Sequence, residues 1–247
     1  MTDRATFLGR IRTEMRKTSG LFPATTAPRP SHPRLIADTL RRELAERWRD
    51  TLERFRTEFE RVGGVYHRVS TAADVPDVVL GIAHDRQARA AITWHPSALG
   101  TDWRAALTAG GLATTAMPAA GVGPPGERQA LRDLIAAADL GLTGVDLAVA
   151  ETGSLVLLSG SGRPRSTSLL PPYHVAVFDR ETLVESLGQV GVFLEAWHDG
   201  EPAAWRGGAI NVITGPSRTA DIELTLTRGV HGPKEVHAVF VEGGLHG

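Results

Sequence analysis

Two short polar stretches hold most of the residues in this 247-residue chain that could do chemistry. In the first, Glu151-Thr152-Gly153-Ser154 separates two apolar runs, residues 147–150 and 155–158. Runs of this length rich in Val and Leu read as buried strands, which would hold Glu151 at a sheet end. Desolvation there would raise the carboxyl pKa and suit a nucleophile or general base. Thr152 and Ser154 add hydroxyls, and Gly153 permits a turn or the close approach of a ligand. The same four residues also make a tight hairpin whose polar groups satisfy their own backbone, and both readings stand.

The second stretch starts as a strand at Asn211 and breaks at Gly215-Pro216, followed by Ser217, Arg218, Thr219 and Asp221. Amides, hydroxyls and a guanidinium so placed would cradle an anion. A capped turn with Arg218 paired to Asp221 or Glu223 is the alternative. A third segment, Gly160-Ser161-Gly162-Arg163-Pro164-Arg165, could wrap a phosphate or carboxylate or form a flexible surface loop. It lacks the spacing of a dinucleotide fingerprint. His174, after Pro171-Pro172-Tyr173, and His231, before Gly232-Pro233, are single histidines open to a structural or a ligand-binding role. The nine histidines show no metal-ligand spacing, so no metal site is expected.

These residues need a scaffold, and the pattern around them supplies one. Leu40, Leu44, Trp48, Leu52, Phe55, Phe59 and Val62 paint one helical stripe that Gly63-Gly64 stops. Strands are then expected at residues 65–69, 90–93, 174–178, 210–213, 222–227 and 235–241. Helices are expected at 74–80, 101–109 and 127–138, and a long one at 181–197 capped by Asp179 or Thr182; residues 112–118 are ambiguous. Such alternation predicts an α/β layered fold with a mostly parallel sheet, and ligands bind such sheets beyond the carboxyl ends of the strands. Glu151, the segment 159–165 and the segment 215–218 each follow a strand-like run, so all three are expected to converge on one crevice. Residues 1–33 read as a short helix and a Pro-rich arm packing on the body or on another copy, and residues 34–247 as the α/β domain.

Composition narrows the class. Formal charge is −1 and 42% of residues are hydrophobic, which excludes a disordered chain or a general nucleic-acid binder. Charge is uneven: residues 1–61 carry 14 Lys+Arg against 9 Asp+Glu, enough to dock on the acidic remainder or on a phosphate-rich partner. Cys is absent, so this chain holds neither a disulfide nor a cysteine-ligated cluster. No apolar run spans a bilayer and no signal-like stretch opens the chain, so a cytoplasmic location is expected.

Four segments together carry a resemblance: residues 141–154, Ser168-Leu-Leu-Pro-Pro-Tyr-His174, residues 214–223 and Gly229-Val-His-Gly-Pro-Lys-Glu235. In this order they resemble the LUD domain, and more narrowly the lactate utilization protein C (LutC) family. The resemblance covers about the C-terminal half. It implies an architecture similar to the sugar-phosphate isomerase and coenzyme A transferase-like fold. It also implies a cluster-free subunit or accessory protein of a system oxidising L-lactate to pyruvate, with iron–sulfur partner subunits and a small anionic ligand. Homo-oligomers are compatible with it. The implied ligand-binding residues are Thr152, Gly153, Ser154, His174, Gly215, Ser217, Arg218, Asp221 and His231. Glu151 resembles the catalytic Glu of some coenzyme A transferases, so a free-standing enzyme acting on an acyl or carboxylate substrate is the alternative. Fold likeness alone does not decide between them.

Overall fold

The computed structural model describes residues 3–17, 31–119, 124–200, 207–220, 226–229 and 231–245. The chain forms two compact units, Met1–His32 and Pro33–Gly247. The first contains helix α1 (Arg4–Lys17), whose start is capped by Asp3: its carboxylate accepts from the Ala5 and Thr6 amides at 2.7 and 3.0 Å.

The second unit opens with α2 (Pro33–Arg61). Proline suits the first helical position, where its missing N–H costs nothing. Leu44, Trp48, Leu52, Phe55 and Phe59 are buried along one stripe. The helix closes in paired bonds from Gly63 N to Glu60 O and Gly64 N to Phe59 O, with Gly63 at φ 91°, a left-handed position that favours Gly.

Chain order then gives β1 (Val65–Val69), α3 (Val75–Asp85), β2 (Ala90–Thr93), α4 (Pro96–Leu99), α5 (Arg104–Ala109) and β3 (Ala113–Ala116). Next come α6 (Pro125–Ala137), β4 (Leu140–Gly144), β5 (Leu147–Val149), β6 (Ser154–Ser159), α7 (Ser166–Leu169) and β7 (Tyr173–Asp179). The series ends with β8 (Leu183–Val184), α8 (Leu187–Trp197), β9 (Ala209–Ile213), β10 (Arg218–Ala220), β11 (Leu226–Arg228) and β12 (Glu235–Val241).

Six strands form one wholly parallel sheet in the order β1-β12-β7-β4-β2-β3. The α/β layered, mostly parallel architecture is therefore as expected. Its central strands β4, β7 and β12 are buried almost throughout, as covered parallel strands are. On one face Trp48 stacks on Phe240 and Phe55 meets Phe178 edge-on, so α2 packs there. Val75, Val79 and Ile82 of α3 and Leu107 of α5 join the same core.

A second, four-stranded sheet has the order β8-β5-β6-β9, with β5-β6 and β6-β9 antiparallel. Its strands alternate between two cores: Ala148, Leu155 and Leu157 belong to the main one, whereas Leu147, Val149, Val156 and Leu158 meet Val190 and Phe193 of α8.

The expected long helix over 181–197 is corrected. Asp179 caps a single 3₁₀ turn (Arg180–Thr182), Leu183 and Val184 pair with Ala148 and Val149, and α8 begins only after Ser186, whose hydroxyl accepts from Gln189 N. A gain in sheet pairing outweighs continuous helix here. The expected strand over 222–227 falls mostly outside the described residues; what is described there is β11, paired with β10.

Candidate functional site

The carboxyl ends of β2, β4 and β7 open onto a cleft of about 940 Å³. Trp94 continues β2, Val145 and Asp146 continue β4, and Asp179 ends β7. Arg34, Asp38 and Arg41 of α2 and Phe193 of α8 line the opposite side. The volume lies at the large end of the range for small-molecule sites.

Three arginines and four carboxylates line this cleft, each with a visible anchor in most cases. Asp146, almost wholly buried, accepts from Leu158 N at 2.7 Å and from Arg163 Nη1 at 3.0 Å. That ion pair fastens the 160–165 loop to the end of β4. Asp179 Oδ1 accepts from Glu181 N at 3.0 Å and Oδ2 from Leu245 N at 2.9 Å, so both oxygens are spent on backbone. Arg41 donates to Leu183 O at 3.3 Å and lies 4.1 Å over the Phe193 ring. Arg34 donates to Asp199 O at 2.7 Å. Arg34 also faces Asp199 Oδ2 at 3.7 Å, and each guanidinium presents its donors in a planar fork. The arrangement therefore suits a small polar ligand with acceptor oxygens, held by planar guanidinium forks.

The residues singled out from the sequence are placed elsewhere. Glu151 follows β5 and is exposed, not held among buried strands as expected. Its amide donates to Glu185 O at 3.0 Å, and its Oε2 accepts from Leu187 N, the first amide of α8, at 3.0 Å. A carboxylate there complements the helix dipole. Thr152 Oγ1 lies 2.7 Å from Ser154 Oγ, which is 2.7 Å from Thr214 Oγ1, so the first and second polar stretches do meet.

Both stretches also close on the end of α2. Gly153 has φ 60°, and a Cβ there would stand 2.3 Å from Phe59 N. Gly215 has φ 75°, and a Cβ there would stand 2.5 Å from Val62 O. Both glycines press on the last turn of α2. Ser217 bonds Pro233 O through its amide and approaches His231 N through its hydroxyl at 3.4 Å. The Arg218 side chain and all of Asp221 lie outside the described residues.

The single-crevice expectation is corrected in part. Because β6 runs antiparallel to β5 and β9, its carboxyl end, where the 160–165 loop starts, is at the far end of that sheet. About 20 helical residues of α2 separate Asp38 from the Phe59 turn, roughly 30 Å at 1.5 Å per residue. Glu151, Thr152, Ser154 and Ser217 belong to one end, and the cleft to the other. Of the sequence signals, the 160–165 loop is the one that pointed to the cleft, and Asp179 read only as a helix cap.

His174 is fully buried near the amino end of β7, with Nε2 2.9 Å from Thr143 Oγ1 and no partner for Nδ1 among the described residues. Burial, with a smaller contribution from His237, pushes its pKa down to about 3. His237 Nδ1 lies 3.0 Å from His67 Nε2, and the rings stack 5.3 Å apart. Its Nε2 is 3.3 Å from Glu235 Oε2, close enough for an ion pair but misaligned for a hydrogen bond. Burial and then His67 push His237 down to about 4. These are neutral structural histidines, and among the described residues no group of three or more His, Asp or Glu is placed to hold a metal ion.

The family model of the LUD domain matches residues 52–241, which include every strand of the parallel sheet. The chain belongs to the LUD domain family. This LUD chain is 46% identical over 107 residues to a protein of Halalkalibacterium halodurans named lactate utilization protein C, covering 42% of this chain and 45% of that one. A protein of the same name from Exiguobacterium is 40% identical over 114 residues, covering 46% and 48%. The LUD chain thus spans about half the length of the curated relatives it matches. A crystal structure of a DUF162 family protein from Deinococcus radiodurans shares the fold at a TM-score of 0.51 and 21% identity, covering 78% of this chain and 98% of that one.

Proposed function

We propose that this LUD chain serves lactate utilization and that the cleft at the carboxyl edge of its parallel sheet receives a small carboxylate. The process rests on the relatives named lactate utilization protein C. The site rests on one observation: the 160–165 loop, tied by Arg163 to Asp146, forms a wall of a polar cleft where strand ends of an open α/β sheet place ligands. Lactate and pyruvate each carry a carboxylate that a guanidinium fork matches.

With no Cys in this chain, any iron–sulfur cluster of the system resides on partner subunits. No helix among the described residues is long and apolar enough to cross a membrane; a cytoplasmic subunit fits the proposal. The reading in which Glu151 is a nucleophile has less support, since that carboxylate is exposed and engaged with the start of α8.

Growth on L-lactate tests the proposal. A strain lacking the gene should fail to grow on L-lactate as carbon source and recover with the wild-type gene. Arg41→Gln and Arg163→Gln proteins that fold normally should not restore growth. Full recovery with both variants would remove the cleft from the function, and undiminished growth of the deletion strain would remove the process.

A further inference from the structure

Behind the 160–165 loop lies a second, smaller pocket of different character. Met117, Pro118, Leu131, Ile135 and Pro164 form its apolar lining in a volume of about 310 Å³. Met117 and Ile135 are almost wholly buried, and Leu131 packs with them, so the floor is fixed by core packing. Arg128 and Arg132 of α6 stand at its exposed rim.

The two arginines are four residues apart and share one helix face, where like charges repel. Neither has a hydrogen bond or ion pair among the described residues. Of the two carboxylates adjacent in sequence, Glu127 pairs with neither arginine among the described residues, and Asp133 is bonded to Gln129 Nε2 at 2.8 Å. An apolar floor under two uncompensated guanidiniums is complementary to one chemistry: a hydrocarbon group ending in an anion, whose charge would relieve the repulsion between the arginines. A bare three-carbon hydroxy acid would leave the floor uncovered. We propose that this pocket binds an amphipathic monocarboxylate with a hydrocarbon tail of about five to ten carbons, a size that suits the small end of ligand sites.

Ser161 borders both this pocket and the larger cleft, and Pro164, which lines the pocket, accepts at its carbonyl from Trp94 Nε1 at 3.3 Å. Trp94 itself lines the cleft. An occupant of the pocket therefore sits one residue from a fluorophore that reports on it. The proposal does not depend on what the cleft binds.

Calorimetric titration of the full chain with octanoate, octanol and acetate separates the contributions. Octanoate should bind saturably, with octanol and acetate each at least about tenfold weaker, since each lacks one half of the complementarity. The Arg128→Gln/Arg132→Gln double variant, changed only at exposed positions, should melt like the wild type. It should bind octanoate at least about tenfold more weakly and octanol as before. Leu131→Asn should weaken octanoate and octanol alike, and an octanoate concentration that shifts tryptophan fluorescence in the wild type should not do so in this variant or in the double arginine variant. Acetate binding as tightly as octanoate would reduce the site to a charge patch and overturn the proposal. Octanol binding as tightly as octanoate, an unaffected double variant or no octanoate binding would do so too. Arg41→Gln, the cleft variant on α2 away from the shared loop, should leave octanoate affinity unchanged, so failure of the cleft reading and failure of this one are distinguishable.

Discussion

Arg163 Nη1 and Asp146 Oδ1 lie 3.0 Å apart, joining the loop after β6 to the residue that leads from β4 into β5. The pair stitches the parallel sheet to the antiparallel one at the cleft wall. Asp146 also holds the Leu158 amide, so its carboxylate fixes both the loop and the strand before it.

Breaking that pair should be costly. Asp146→Ala removes the 3.0 Å ion pair to Arg163 and leaves the Leu158 amide without its acceptor, a loss of about 2–4 kcal/mol. Denaturant unfolding of Asp146→Asn, Arg163→Gln and the double variant should give a coupling of at least about 1 kcal/mol. Additive effects would show that the pair does not fasten the loop.

Gly153 and Gly215 should be intolerant for a packing reason. Gly153→Ala sets a Cβ 2.3 Å from Phe59 N and Gly215→Ala one 2.5 Å from Val62 O, each at positive φ. Each should destabilise by about 2 kcal/mol or more, through backbone strain plus overpacking. A melting temperature unchanged in both would mean that the end of α2 yields easily.

Glu151→Gln separates a capping carboxylate from a catalytic one. The glutamine keeps an acceptor for Leu187 N but loses the charge at the helix start, a loss of about 0.3–1 kcal/mol. Growth on L-lactate should be unaffected. Abolished growth with a normally folded variant would return Glu151 to the site.

Stability should fall in mild acid. Burial holds His174 and His237 near 3 and 4, below the ordinary value of about 6.5 that the unfolded chain regains. Between these values the unfolded chain binds more protons, so their contribution is complete above about pH 6.5 and is lost as pH drops toward 4. His174→Gln keeps a partner for Thr143 and removes the proton site. Unfolding of this variant should show a pH slope shallower by up to about 1.4 kcal/mol per unit over that window. Equal slopes would mean that His174 is protonated in the folded protein.

The sequence made the scaffold legible because its signals are local. The stripe from Leu44 to Phe59, the Gly63-Gly64 stop and the Val-rich runs at β7 and β12 depend on neighbours within a few residues. The split of 181–197 into a turn, β8 and α8 was not legible, because Leu183 and Val184 are drawn into pairing by β5, more than 30 residues earlier. The same distance effect hid the cleft. Arg34 and Arg41 come from α2, Asp146 from the link after β4 and Asp179 from the end of β7, so no local signal joins them. Gly153 did signal close approach, but the approaching group is the backbone of α2; Gly215, read as a strand end, meets the backbone just past that helix.

Ligand binding at the cleft is the most direct test. Titration of the full chain with L-lactate and pyruvate should give saturable binding to the wild type. Affinity should be at least about tenfold weaker in Arg41→Gln and Arg163→Gln proteins of normal fold and unchanged in Glu151→Gln. No binding of either acid, or equal affinity in both arginine variants, would contradict the cleft as the site of a small carboxylate.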